Sequence, residues 1–339
     1  MKIGITFDLK GDLVPPPGAP DDYLEEFDSP VTVEAIARVL QERGHQVVRL
    51  GDGPQLLGRL QQERPDFVFN IAEGHGTSRS REARLPAVLE LLGIPYSGSD
   101  PLTLAVALDK DCARRLVQSH GVQVPRAELF PPGVDLDAVR SRSELPCPLI
   151  VKPAWEGSSK GIRGKCVVET PAELADALAA RQDQRQPLLA EEYIAGEELT
   201  VGVLGNDPPR VLGVMRVVPL QNPERFVYSL ELKRECEGKL RYECPAQLPV
   251  EHLQAVHRAA LLVYQALGCR DVARIDFRLR DGIPYFLEAN PLPGLNPGWS
   301  DLSILTRLCG ITHEELIGGI FDAACKRLGL TDSAIERAA

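Results

Sequence analysis

Apolar positions recur along this chain at two periods, and the switches between them mark out the elements. KIGITF (residues 2–7), HQVVRL (45–50) and DFVFNIA (66–72) predict short strands, the third apolar throughout, as a buried parallel strand is. Val33, Ile36, Ala37 and Leu40 fall at helical spacing and predict a helix from Pro30 to Arg43, ended by Gly44. A second, short helix follows Pro54. The resulting β-α-β-α-β order implies a doubly wound parallel sheet whose carboxyl strand ends face a cleft. The Glu73-Gly74-His75-Gly76 loop lies at such an end, so His75 is a candidate to face a ligand; the plain alternative is a loop histidine with no such role.

From Arg84 a helix (LPAVLELLG) leads through the tight turn IPYSGS into PLTLAVALDKDCARRLVQSHG, read as one long helix ending at Gly121 with Lys110 in its middle. PLIVKP is a strand carrying Lys152, and Glu156-Gly157-Ser158-Ser159-Lys160-Gly161 follows it. Small residues there free consecutive backbone N–H groups to make a nest for phosphate oxygens, though a plain hairpin loop leading into KCVV has the same composition. A helix is expected from Pro171 to Arg181, then the strand PLLAEEYI, which runs out at Glu191 and Glu192. Antiparallel strands continue through LTVGVLG and RVLGVMRVV. Residues 219–247 read as a long polar loop with Lys233 and Arg234 at its centre, a length that in ordered loops goes with function. A helix from Val250 to Leu267 and two helices from Ser303 and His313 complete the reading.

The densest chemistry lies in DVARIDFRLRDGIPYFLEANPLPGLN, residues 271–296. Alternation in the first strand sends Ala273, Ile275, Phe277 and Leu279 to one face and Arg274, Asp276 and Arg278 to the other. The second groups Phe286, Glu288 and Asn290. Placing Asp276 opposite Glu288 requires an odd loop, met by a three-residue turn with Gly282 left-handed. Two carboxylates and an amide then converge. They form either a site for a hard cation such as Mg²⁺ or a solvated face whose acids pair with Arg274 and Arg278. The Pro-Leu-Pro-Gly-Leu-Asn-Pro-Gly run at 291–298 neither continues a sheet nor starts a helix, and as a stiff loop it suits a pocket wall.

Composition narrows the rest. The 339 residues suffice for two or three domains, and 44% hydrophobic with 25% charged residues is ordinary for a soluble protein. A net charge of -10 argues against nucleic acid or an anionic membrane as the main partner. No apolar run nears the ~18 residues of a membrane span, and the start reads as a strand rather than a signal peptide, so a cytoplasmic protein is expected. The eight cysteines are scattered without a Cys-x-x-Cys pair, which favours free thiols over a metal cluster or disulfide framework. Absence of Gly-x-Gly-x-x-Gly after the first strand counts against a nicotinamide enzyme.

Taken in order, GIPYSGSDPLTLAVALDK, LIVKPAWEGSSKGI, LLAEEYIAGEELTVGVLG, LGCRDVARIDF and YFLEANPLPGLNP resemble the D-alanine–D-alanine ligases of the ATP-grasp superfamily. The resemblance covers nearly the whole chain. It implies an α/β ATP-grasp fold of three domains: 1–109 with the doubly wound sheet, 110–198 with the glycine-serine loop, and 199–339 with a lid and the metal site. It also implies ATP with Mg²⁺ or Mn²⁺, small amino-acid substrates, a homodimer and a product of the peptidoglycan type. By resemblance Lys110 and Lys152 contact the nucleotide phosphates. Glu191 and the backbone through Glu192 and Ile194 meet the adenine edge, and Glu198 meets the ribose. Glu156, Gly157, Ser158 and Ser159 close over the phosphates, and Lys233 reaches the γ-phosphate from the lid. Asp276, Glu288 and Asn290 match the metal ligands. Arg274 and the Gly294 backbone match groups that stabilise the acyl phosphate and the oxyanion.

Substrate-side positions depart from the pattern. The family's glycine-serine-glutamate motif after the first strand is replaced by FDLKGDLVPPPGAPDDYLEEFDSP, in which Glu25 or Glu26 would hold the first amino group. Arg234 stands where D-alanine-specific members carry a lid tyrosine bonded to the loop serine, here Ser158; a guanidinium cannot accept a hydrogen bond and brings fixed charge. Ser300, beside Trp299 and Asp301, aligns with the serine near the second carboxylate. The expected activity is ATP-dependent carboxylate–amine ligation to a dipeptide. The alternatives are the same mechanism with another amino-acid, hydroxy-acid or amine acceptor, and a non-catalytic nucleotide-binding module. The complete set of Lys110, Lys152, Arg274, Asp276, Glu288 and Asn290 argues against the last.

Overall fold

Three sheets follow one another along the chain in a computed structural model that describes residues 1–142, 145–161, 166–181, 186–221 and 225–330. The first is built from β1 (Lys2–Thr6), α1 (Pro30–Glu42), β2 (Gln46–Arg49), α2 (Leu56–Glu63) and β3 (Phe67–Asn70), with the parallel order β2-β1-β3. Side-chain alternation gives the sheet two apolar faces. Ile3, Ile5, Phe67 and Phe69 pack under α1 and the chain's last helices, whereas Val68 packs with Leu56, Leu60, Leu85 and Leu89 on the other side. Gly4 also faces that second side, where an added Cβ would lie 2.3 Å from Leu50 Cδ1.

After α3 (Arg84–Leu92) come α4 (Pro101–Leu108) and α5 (Lys110–Ser119), where one long helix is expected from the sequence. The break is at Asp109, whose backbone is extended (ψ 98) while its carboxylate accepts from Cys112 N at 3.0 Å and caps α5. A short acid that satisfies an orphan N–H of a new helix competes well with helix continuation. Lys110 is therefore the first residue of α5, not a mid-helix residue, and its N–H bonds Ala154 O at 3.0 Å.

The second sheet has the order β4-β7-β5-β6, all antiparallel, from β4 (Ala127–Phe130), α6 (Leu136–Arg142), β5 (Leu149–Pro153), β6 (Val167–Val168), α7 (Pro171–Ala179) and β7 (Leu188–Glu192). The third, also antiparallel, has the order β10-β9-β8-β11-β12 and is packed by α9 (Val250–Leu267) and α5. Its strands are β8 (Glu197–Leu204), β9 (Arg210–Pro219), β10 (Leu240–Glu243), β11 (Val272–Arg280) and β12 (Ile283–Asn290). The 219–247 stretch is thus not wholly loop: it holds the short helix α8 (Leu230–Arg234) and strand β10, which pairs with β9. Residues 222–224 of that stretch, and Ile162 of the glycine-serine motif, lie outside the described residues. The chain ends in α10 (Asp301–Leu308) and α11 (His313–Leu328).

The β11–β12 hairpin pairs Asp276 with Glu288 as expected, but by a different device. Arg280 pairs with Ile283, which leaves the two-residue turn Asp281-Gly282 with both φ positive (53 and 77), and a β-bulge between Asp276 and Phe277 restores the parity. Below the bulge Phe286 pairs with Phe277 and joins the apolar core, instead of sharing a face with Glu288. All eight cysteines are free, and Cys244 and Cys309 bring their Sγ atoms to 2.8 Å over Gly213. Among the described residues no helix is long and apolar enough to cross a membrane.

Asp271, fully buried, ties three parts of the fold together. It accepts from Gly98 N (2.8 Å), from Asn206 Nδ2 (2.8 Å) and from both Nε (3.0 Å) and Nη2 (2.8 Å) of Arg327 on α11. Removing the carboxylate strands a partly buried guanidinium and two further donors, the buried Gly98 N–H and the partly buried Asn206 amide. Asp271→Ala is therefore expected to cost about 3–5 kcal/mol, read as a lower denaturant midpoint at unchanged slope; a shift below about 1 kcal/mol, the surface-pair range, would show that the hub is not stabilising.

Candidate active site

Strand pairing places the reactive groups before any side-chain contact is considered. In register Arg274 faces Asn290 and Asp276 faces Glu288 on β12, while Thr200 of β8 faces Asp276 from the other side. Thr200 Oγ1 donates to Asp276 Oδ1 at 2.9 Å. The Arg274 guanidinium then meets three carboxylates: Asp276 Oδ2 at 3.0 Å, Glu288 Oε1 at 3.5 Å and Asp301 Oδ2, from the start of α10, at 3.7 Å. Lys110 Nζ lies 3.4 Å from Glu288 Oε2 and donates to Glu156 O.

Charge and burial separate the acids. Burial raises the Asp276 carboxyl to about 6, with Glu288 and Asp301 adding to the rise and Arg274 opposing it. Burial also pushes Glu288 up, but Lys110, Arg274, Lys152 and Lys233 outweigh it and hold the group at about 2. For Asp301 burial is likewise overcome, by Lys233, Arg274 and the Tyr228 hydroxyl, and the carboxyl stays below its usual range. Arg274 is held protonated: burial lowers its pKa, and Asp276, Asp301 and Glu288 more than reverse this. Asn290 completes the group with a buried Nδ2 that has no hydrogen-bond partner among the described residues. Two carboxylates and the amide oxygen of Asn290 are hard-cation ligands, so the donor set fits a divalent ion.

Three cavities meet at this hairpin. The first lies between the second and third sheets and is lined by Lys152, Glu191, Glu192, Ile194 and Glu198 together with Lys233, Asp276 and Glu288. Lys152 on β5 pairs with Glu191 on β7, and Glu198 receives Arg278 Nε at 2.7 Å. Glu192 is held by Arg280 at 2.8 Å and Arg126 at 3.3 Å. The second, inner cavity is walled by Lys110, Arg274, Glu288, Asn290, Gly294 and the loop residues Glu156, Gly157 and Ser158. The third is the largest, about 600 Å³, and reaches from Arg274, Ser158 and Gly294 past Ser300 and Asp301 to Lys233, Arg234, Glu25 and Trp299.

The glycine-serine loop is a sharp left-handed passage, with φ of 51 at Ser158, 57 at Ser159 and 72 at Gly161. It is fastened to the acidic N-terminal segment: Gly161 N bonds Asp22 Oδ2 at 3.0 Å and Lys160 Nζ reaches Glu26 Oε1 at 3.0 Å. Glu156 is fixed by Gln186 at 2.9 Å and Lys160 at 2.7 Å. On the lid side Arg234 meets Glu25 at 2.7 Å and Asp21 at 3.1 Å. Lys233 sits 4.7 Å from the Tyr228 ring and 3.4 Å from Asp301. Gly294 has no room for a side chain, because a Cβ would lie 2.9 Å from Ser300 Oγ, which itself accepts from Asn296 N at 3.0 Å.

His75 is the sequence candidate that stands apart from this gathering. Its ring lies 2.5 Å from Asp8 Oδ1 and edge-on to Phe27, and it is Glu73 of the same loop that lines the two inner chambers. Sequence reading missed Glu73, Glu82, Arg81 and Tyr228. Tyr228 OH donates to Asp301 at 2.9 Å, and Arg81 bonds Glu26 at 2.8 Å. Glu73 shares the loop at a carboxyl strand end that marks His75, whereas no periodicity marks Tyr228.

The D-ala D-ala ligase C-terminus family model matches residues 120–322. A D-alanine–D-alanine ligase of Fervidobacterium nodosum is 32% identical over 308 residues, covering 86% of this chain and 93% of that protein. One of Ralstonia nicotianae is 38% identical over 240 residues, covering 70% and 69%. The crystal structure of D-alanine–D-alanine ligase from Bacillus anthracis complexed with ATP superposes with a TM-score of 0.71 over 96% of this chain and 98% of that one, at 23% identity, and so shares its fold. With half the chain inside the family model and relatives matched along most of their length, the chain belongs to the D-alanine–D-alanine ligase family.

Proposed function

We propose that this chain is an ATP-dependent ligase that joins two amino acids of the D-alanine type through an acyl phosphate, releasing ADP and phosphate. The observation that carries the reading is the Arg274 guanidinium, facing Asp276, Glu288 and Asp301 where the cavities meet. ATP occupies the first cavity, with Glu191 and the strand end through Glu192 and Ile194 at the adenine edge and Glu198 at the ribose. Lys152 and Lys110 take the phosphates beneath the Glu156–Ser159 loop, and Lys233 reaches the γ-phosphate. On this reading residues 1–109, 110–198 and 199–339 act as three units, with the nucleotide between the last two.

A carboxylate is a poor electrophile because an oxide would have to leave, so it is phosphorylated first. Attack of one anion on another needs opposing charge, which Lys110, Lys152, Lys233 and Arg274 provide in a site where burial strengthens each interaction. Asp276, Glu288 and Asn290 hold magnesium or manganese, which when bound supplies further neutralisation and alignment of the γ-phosphate. The Glu25–Arg234 pair offers a zwitterionic first amino acid both of the charges it requires. Ser300, at the start of α10, faces the carboxylate of the second, beside Asp301. Arg274 and the Gly294 N–H face the oxygen that becomes negative when the amine attacks, while the 219–247 stretch keeps water from the acyl phosphate.

Purified protein given ATP, Mg²⁺ and D- and L-amino acids singly and in pairs should release phosphate with the D-alanine pair and yield a product of dipeptide mass. Chelation by EDTA should stop turnover, and Mg²⁺ or Mn²⁺ should restore it; ADP release indifferent to every amino acid supplied would sink the reading. Arg274→Ala should lower kcat by about 10²–10³-fold, the loss expected for an oxyanion donor. An unaltered kcat would remove Arg274 from the mechanism.

A further inference from the structure

An amino acid presents its amine as an ammonium at neutral pH, and an ammonium has no lone pair with which to attack an acyl phosphate. Most acids around the chambers already face cations. Glu25 is 2.7 Å from Arg234, and Glu26 lies between Arg81 at 2.8 Å and Lys160 at 3.0 Å. Asp301 is 3.4 Å from Lys233, and Glu288 is 3.4 Å from Lys110. Glu73 and Glu82 differ, for among the described residues neither makes an ion pair, and each is hydrogen-bonded to the other. Their closeness is built into the backbone: Gly74, at φ +76, lies so near Arg81 that an added Cβ would be 2.6 Å from its carbonyl oxygen. Both carboxyls line the inner cavity with Arg274, Asn290 and Gly294, and Glu73 also opens onto the large chamber that holds Ser300.

We propose that the Glu73–Glu82 carboxyl pair is the base that takes the proton from the acceptor's ammonium group, Glu73 touching the amine and Glu82 sharing the charge behind it. The proposal rests on the ligase reading above. An acceptor that moves from the large chamber toward the acyl group at Arg274 and Gly294 passes Glu73. The surroundings set the pair's proton affinity. Burial comes first for both; Glu82, Glu26 and Asp28 raise Glu73 further against Arg81, and Glu26 raises Glu82 against Arg81, Lys110 and the hydrogen bond with Glu73. Arg274 and Glu288 look on across the inner cavity. Burial brings Glu82 to about 7 and pushes Glu73 up as well, so the pair exchanges protons as one unit near neutral pH. The ionised half receives the ammonium's proton, and the freed lone pair forms the C–N bond. The C–O bond to phosphate breaks with its electron pair on the phosphate oxygen, and that phosphate takes the second nitrogen proton.

Hydroxylamine separates this step from the rest, because it is a neutral nucleophile near pH 7 and traps an acyl phosphate as a hydroxamate without a base. Glu82→Gln and Glu73→Gln, supplied with ATP, Mg²⁺ and D-alanine, should form hydroxamate at the wild-type rate. At pH 7 they should make dipeptide about 10²-fold or more slowly, and recover as the pH rises toward the amine's own range. In the wild type, dipeptide formation should climb with pH through the region near 7 while hydroxamate formation does not, a comparison that decides the matter even where a variant fails to fold. The proposal is overturned if dipeptide and hydroxamate fall together in a folded variant, if dipeptide formation is unchanged, or if the two wild-type profiles coincide. Wild-type protein that makes neither product would sink the ligase reading itself.

Discussion

One guanidinium held among three carboxylates, all largely shielded from solvent, is the constraint on which the site depends. Arg274 cannot leave that position without stranding Asp276 and Glu288 where both are largely shielded from solvent, and breaking a buried pair costs about 3–5 kcal/mol, an upper bound here. The arginine therefore fixes the hairpin's reactive face before any ligand arrives. It does not neutralise that face. Asp276 still sits near 6, pushed there by burial, so the arrangement is most comfortable when further positive charge is brought in. A site whose charges are held in place before a ligand arrives is suited to an anionic nucleotide, since no reorganisation is then needed at the moment of transfer.

The same hairpin shows where reading the sequence succeeded and where it stopped. Period-two alternation correctly put Arg274, Asp276 and Arg278 on one face, because in β11 the apolar set is fully committed to the core. It could not distinguish an odd turn from an even turn with a bulge. Both satisfy the pairing of Asp276 with Glu288, and only the fate of Phe286, stacked edge-on to Phe277 at 6.3 Å, tells them apart. Helix periodicity likewise ran straight through Leu108 and Lys110, since the side chains on either side of Asp109 keep an apolar stripe. The break depends on one carboxylate that also receives Trp155 Nε1 at 3.1 Å, a contact 46 residues away. Local pattern carries information about faces; it carries little about events decided by a distant partner.

The acid-rich segment after β1 was the least legible part, and it does more than its composition suggests. Its polar, proline-rich sequence has no period to follow, yet in the fold it is a two-sided anchor. Asp22 and Glu26 hold the glycine-serine loop through Gly161 and Lys160, and Asp21 and Glu25 hold α8 through Arg234. The two sides differ in strength. Arg234 is partly exposed, and pairs of that kind contribute about 0–1 kcal/mol. Glu26, Arg81 and Lys160 are largely shielded from solvent, so separating them is far costlier.

That inequality gives the chambers an order of opening. The glycine-serine loop is fixed to the N-terminal segment by the shielded cluster, while α8 is tied to the same segment by contacts that salt and solvent loosen. On the ligase reading proposed above, α8 can release at Arg234 without disturbing that loop. On that reading, access to the amino-acid chamber and grip on the nucleotide are governed by different interactions, though they share one anchoring stretch of chain. A reaction that must hold a hydrolysable acyl phosphate while a second substrate enters needs this separation, because a single hinge opening both chambers would admit water with the acceptor.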